Sequence, residues 1–148
     1  MAISQTYVNT LLNVALGYSD AASLPDYLYF GVCSEIPNAA TGEVTGEPTA
    51  DSYKRKVVGG KNAPAKCFGS ATGGVIANNQ EIQMVTAREA WGTENYWFVS
   101  TSATGNAILW GVLKDAETGT QGITIREKTV PVFYEGELKA SIDVALSE

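Results

Sequence analysis

Histidine is absent from the 148 residues. That removes the commonest general base and metal ligand, and with it every Ser-His and Cys-His triad. Cysteine occurs twice, at Cys33 and Cys67. Two thiols cannot complete a four-ligand zinc site alone. They pair only if the fold brings them together; free buried thiols are the favoured reading. Charge is scarce too: 18% of residues are charged, below the roughly 25% of ordinary soluble domains. A surface so poor in charge suits contact with other subunits, and equally suits a Thr/Ser/Asn-rich β protein. The net charge of −6 gains nothing from the counterion release that drives nucleic-acid binding, so no nucleic-acid partner is expected. No run of 18 apolar residues exists and no basic, then apolar, leader opens the chain. The expectation is a protein made in the cytoplasm, without a membrane span.

Aromatic mass is present and concentrated. All three tryptophans fall between Trp91 and Leu113. Two apolar runs, Trp91–Val99 and Ala107–Leu113, flank the polar segment Ser100–Asn106 with its Gly105-Asn106 pair. This pattern predicts two antiparallel strands and a turn. Large rings bury the most area per residue, which places the hairpin at the centre of the core. Trp97 and Trp110 lie inside strands and are expected buried. Trp91 opens the run and is the ring expected to reach a partner.

Between Ile3 and Gly17 the spacing predicts the one helix, over about residues 4–16. Ser4 caps its start, Val8, Leu11, Leu12 and Ala15 recur at helical spacing, Tyr7 and Leu16 widen the stripe, and Gly17 closes it. The apolar face must be buried on the chain's own sheet or on a neighbouring subunit. Strands are predicted at Tyr27–Cys33, Ser52–Val58, Val75–Ala77, Glu81–Thr86, Ile123–Arg126, Val130–Tyr134 and Glu137–Leu146. The last alternates Leu138, Ala140, Ile142 and Val144 against polar neighbours. In Lys54-Arg55-Lys56 alternation sends the lysines to one face and Arg55 to the other, and the cluster reads as a solvated strand face. Ser34–Asp51 is a long polar loop, and loops of that length tend to be functional or mobile. Its acids, Glu35, Glu43, Glu47 and Asp51, lack the ordered spacing of a calcium loop, and no metal is expected. One helix and about eight short strands predict a mainly β fold over residues 1–148, a single domain. The expected form is an antiparallel, jelly-roll-like β-sandwich with an N-terminal helix.

The landmarks, taken in order, resemble those of small virion proteins of tailed bacteriophages, often described as tail-fibre proteins. They are a short apolar helix, Tyr7 to Gly17; a glycine-bearing strand, Leu28-Tyr29-Phe30-Gly31-Val32; and Glu47-Pro48 followed by Tyr53-Lys54-Arg55. Next come Asn79 to Met84, Trp91-Gly92-Thr93, Gly105-Asn106 with Ala107 to Gly111, Val130 to Phe133, and Gly136-Glu137-Leu138. The resemblance spans nearly the whole chain. Where the family usually has Gly-Asp before its penultimate strand, this chain has Glu127-Lys128-Thr129; where it often has Phe-Pro after the middle Asn, Met84-Val85 stands.

The resemblance implies a non-enzymatic structural protein on the particle exterior, in the tail fibre or decorating the capsid. Such a protein acts by self-association and by docking on other virion proteins. The expected contact surfaces are the helix and the long loop, through Tyr7, Val8, Leu11, Leu12, Glu43 and Glu47, with Trp91 beside them. The alternative is a carbohydrate-binding module for host-surface glycans, with tryptophan rings stacked on sugars. No catalytic residue and no cofactor is expected. Glu94, Asp115 and Glu117 are the carboxylates a glycosidase would need, but no spacing singles out a pair.

Overall fold

A computed structural model describes residues 2–141. The predicted segment Glu137–Leu146 therefore lies partly outside the described residues, Ile142 and Val144 included. The centre is a five-stranded antiparallel sheet in the spatial order β1-β8-β7-β2-β3. Its strands are β1 (Ala2–Ile3), β2 (Leu28–Cys33), β3 (Lys56–Gly59), β7 (Tyr96–Ser100) and β8 (Ala107–Val112). Three two-stranded antiparallel ribbons complete the described β structure. They join β4 (Val75–Ala77) to β11 (Lys139–Ser141), β5 (Ile82–Gln83) to β10 (Val132–Phe133), and β6 (Gly92–Glu94) to β9 (Ile123–Ile125). The fold is mainly β, as the strand spacing predicted, and the second layer of the sandwich is these ribbons.

The tryptophan-rich hairpin occupies the middle of the sheet. Phe98 pairs with Trp110, and Trp97 with Gly111. A Cβ on Gly111 would stand 2.6 Å from Trp97 Nε1, so only glycine lets the indole lie flat on β8. Alternation then sorts the side chains onto two faces. Phe30 and Val32 of β2, with Trp97 and Val99 of β7, face the ribbons. They share one core with Ile82, Met84, Trp91, Ile125, Phe133 and Leu138. Phe30 stacks at 6.2 Å on Trp97 and meets Phe133 edge-on at 5.0 Å. Cys33, Phe98, Ala107 and Trp110 form a smaller core on the opposite face, where Val44 of the long loop covers them. The strongly apolar β2 is thus buried on both sides.

Asn78 stitches two ribbons together. It is buried; Nδ2 donates to the carbonyls of Tyr134 (2.8 Å) and Gln80 (3.0 Å), and Oδ1 accepts the Leu138 N–H (3.0 Å). All these bonds replace water lost on burial.

Several expected boundaries shift: Val130–Tyr134 shortens to β10, and the strand expected from Glu137 begins at Lys139. The run Trp91–Val99 is not one strand: it breaks at Asn95, so that β6 joins β9 while β7 joins β8. The strand expected at Ser52–Val58 begins at Lys56, because the preceding residues turn inward to form the network described below. The strand expected at Glu81–Thr86 shrinks to β5, although Ile82 and Met84 both reach the core as alternation required.

Helix α1 spans Gln5–Ala15. Ser4 caps it by accepting the Tyr7 N–H on Oγ, and Gly17 ends it at φ +81°. Its first turn is fastened to the body: the N–H groups of Gln5 and Thr6 donate to the carbonyls of Ala39 and Ala40 in the long loop, and that of Ser4 donates to Ile108.

Candidate functional site

The predicted contact surfaces behave very differently from one another. The long loop Ser34–Asp51 is held down along its length. Ser34 N–H donates to Gly46, Asn38 N–H to Glu43, and Ala107 N–H to Gly42. Pro37 is buried and Val44 half-buried. Glu43 stays exposed. Glu47 turns its carboxylate inward to Arg55, with its side chain 26% exposed.

That ion pair is the electrostatic centre of the molecule. Arg55 Nε lies 2.8 Å from Glu47 Oε1 and Nη2 lies 2.7 Å from Oε2, a two-pronged carboxylate grip. Arg55 Nη1 donates to Ser100 Oγ (2.8 Å) and to the carbonyls of Ser102 (3.0 Å) and Gly105 (2.7 Å). The guanidinium also covers the Phe98 ring at 4.7 Å. Tyr53 Oη donates to Glu47 Oε1 (2.8 Å) and accepts from Val32 N–H (3.3 Å). Burial, then the Glu47 charge, pushes the Tyr53 phenol upward. The network ties the long loop, the β2 strand and the turn of the central hairpin to one buried cation, whose side chain is 2% exposed. Alternation placed Arg55 correctly, opposite the exposed Lys54 and Lys56. The solvated-face reading fails for Arg55 because five acceptors and an aromatic ring replace its water. The usable signal was Tyr-x-Arg preceded by a glutamate.

Glu94 is a second buried ionisable group. It is 2% exposed at the end of β6, and its Oε2 has no hydrogen-bond partner. Burial, with a smaller push from Glu47, raises its carboxyl to about 7. Burial, followed by repulsion from Glu94, pushes the Cys33 thiol up to about 12. Cys33 and Cys67 are both free and buried.

Trp91 is the clearest correction. It is 7% exposed, its Nε1 donates to Ser52 Oγ (3.2 Å), and the Tyr53 ring stands edge-on to it at 5.1 Å. Its position at the start of the run suggested exposure, but pairing of β6 with β9 folds it into the core. Trp97 and Trp110 are buried as expected, so none of the three indoles presents a free face.

A groove of about 580 Å³ runs beside Trp97, Leu113, Ile123, Phe133 and Leu138, with Asp115 and Glu137 among its lining residues. These acids are engaged by backbone. Asp115 Oδ1 accepts the N–H groups of Thr118 (2.9 Å) and Glu117 (2.8 Å), bonds that hold its carboxyl below the usual range. Glu137 Oε2 accepts the Tyr134 N–H. Glu94 does not line the groove. Glu94, Asp115 and Glu117 therefore do not converge on it as an acid pair, and among the described residues no three His, Cys, Asp or Glu side chains gather as a metal site.

The helix is the surface left open. Tyr7 packs against the main core, and Val8, Leu11 and Val14 are half-buried. Leu12 is exposed, Leu16 is 83% exposed and Tyr18 87%. No helical residue is fully buried. Leu16 and Tyr18 were not among the expected contact residues, although Leu16 was already visible as widening the apolar stripe.

Among the described residues no helix is long and apolar enough to cross a membrane. No curated protein matches the chain. Residues 2–132 match the family described as podophage GP4 fiber I protein gp80, and with most of the chain covered in this way the protein belongs to that phage fibre family.

Proposed function

We propose that the protein is a non-catalytic building block of the tail fibre on the exterior of a tailed-phage particle, acting by self-assembly and by docking on other virion proteins. The family match over residues 2–132 is the observation that carries this reading. The interior adds to it. The strongest polar interactions are spent on fastening a loop and a hairpin turn to the sheet, which suits a part that holds shape under load. The Arg55 guanidinium directs hydrogen bonds from all three of its nitrogens to groups within the chain.

Quantitative mass spectrometry of gradient-purified particles tests the proposal. The expected result is a fixed copy number relative to the tail proteins. Absence from particles, with the protein free in the lysate, overturns it.

A further inference from the structure

Glu94 ends β6 with a carboxyl that the fold leaves half unsatisfied. It is 2% exposed, and its Oε2 meets no donor among the described residues. Its own ribbon offers no counter-charge: Gly92 and Thr93 on β6, and Ile123, Thr124 and Ile125 on β9, carry no titratable group. The end of β2 brings the Cys33 thiol near it, and the long loop brings the Glu47 carboxylate, whose charge reaches both; Glu35 adds to the negative field at Cys33. Arg55 is committed to Glu47, and the other ion pair among the described residues joins Lys61 to Asp26. A carboxylate with neither cation nor donor is costly to bury. In the closed fold Glu94 therefore keeps its proton, and burial, then Glu47, holds the group up to about 7.

The element that carries Glu94 can yield by itself. β6 and β9 pair over three residues each and have no further neighbour in their sheet. A two-stranded ribbon is marginal without packing, and proteins open locally where few bonds hold an element. The opening has fixed bounds. Directly after Glu94, Asn95 is pinned three ways: its N–H donates to the Cys33 carbonyl (3.0 Å), its carbonyl accepts from Leu113 (2.8 Å), and Nδ2 donates to the Ser34 carbonyl (2.9 Å). Upstream, Ala87 donates to the Thr129 carbonyl (2.8 Å) and accepts from Lys128 (2.6 Å). Between these anchors β6 is held to β9 by its short ladder and, at its entrance, by the Trp91 N–H on the Ile125 carbonyl (2.9 Å).

We propose that Glu94 is a proton-controlled latch: loss of its proton to water releases β6 from β9 between Ala87 and Asn95, while the five-stranded sheet stays paired. Release uncovers Trp91 and Ile125, both members of the main core in the closed form. The surface at this end of the molecule then depends on pH. The latch concerns the single chain and does not rest on the fibre assignment.

Amide hydrogen exchange of the full chain, resolved by residue from pH 5 to 7, tests the latch. After correction for intrinsic rates, the amides of β6 and β9 are expected to exchange faster than those of β2 and β7, which are released only when the whole sheet opens. Opening returns the carboxyl to its ordinary 4.5, whereas the closed form holds the proton to about 7, so within that window each pH unit favours the open form by a factor approaching ten. Ribbon protection is therefore expected to fall roughly thirtyfold from pH 5 to 7. Glu94→Gln keeps the shape without the titration, and its ribbon protection is expected to stay level over the same range. Ribbon amides as well protected as the central sheet, or ribbon protection that does not change with pH, overturns the proposal on the wild type alone. A slope that survives in Glu94→Gln overturns it as well.

Discussion

Arg55 and Glu47 meet with two parallel hydrogen bonds, 2.8 Å and 2.7 Å long, and the arginine is the more deeply buried partner. Removing one member of a buried pair leaves the other charge uncompensated, at a cost of about 3–5 kcal/mol. Arg55→Ala is expected in that range by urea unfolding followed through tryptophan emission. Arg55→Lys recovers only part of it, because an ammonium cannot grip both carboxylate oxygens and still reach the Ser102 and Gly105 carbonyls. A lysine variant as stable as wild type would show that the fork geometry contributes nothing.

Glu94 makes stability depend on pH in an unusual direction. Its folded-state carboxyl sits at about 7, above the ordinary 4.5 of the unfolded chain. Between these values the native state holds a proton that the unfolded state has lost, so stability falls as pH rises. The fall begins near pH 4.5, is complete above 7, and totals on the order of 3 kcal/mol. Glu94→Gln, which keeps the shape without the charge, is expected to flatten the profile across that window and to exceed wild type in stability at pH 8. The readout is the urea midpoint at half-unit pH steps. A wild-type profile rising from pH 5 to 7 through this residue would contradict the account.

The three indoles report the same core. Because Trp91, Trp97 and Trp110 are all buried, native emission is expected to be blue-shifted and resistant to iodide quenching, turning red and quenchable on unfolding. Trp91→Phe loses the bond to Ser52 and is expected to cost about 1 kcal/mol. Appreciable native-state quenching would place one ring in solvent.

How much of this was legible in the sequence depends on whether local pattern or distant pairing decides a residue's place. The Ser4 cap and the Gly17 stop follow from local residue chemistry, and the burial of Trp97 and Trp110 from their place inside apolar runs, and they stand. Trp91 and Arg55 depended on something periodicity does not carry. The indole is buried because β6 pairs with a strand some thirty residues downstream. The guanidinium is buried because a glutamate eight residues upstream and three groups in the hairpin turn converge on it. The helix shows the opposite limit. Its apolar stripe was plain, but only the structure shows which part of it stays exposed, Leu12 and Leu16.

The thiols give a further check. Cys33 is buried and its thiol is pushed up to about 12; Cys67 is buried and also raised. A buried protonated thiol reacts slowly. Native protein is expected to release almost no colour with a thiol-exchange reagent and to titrate two thiols once unfolded, with or without prior reduction. Two fast thiols in the native state, or a disulfide, would contradict the packing around both.

The assignment to the fibre is tested most directly by electron microscopy of intact particles carrying an epitope-labelled copy of the protein. The account predicts label at the tail, at symmetry-related positions of the fibre apparatus. Label spread over the faces of the head, as a capsid-decoration protein would give, or particles that carry no label at all, would contradict it.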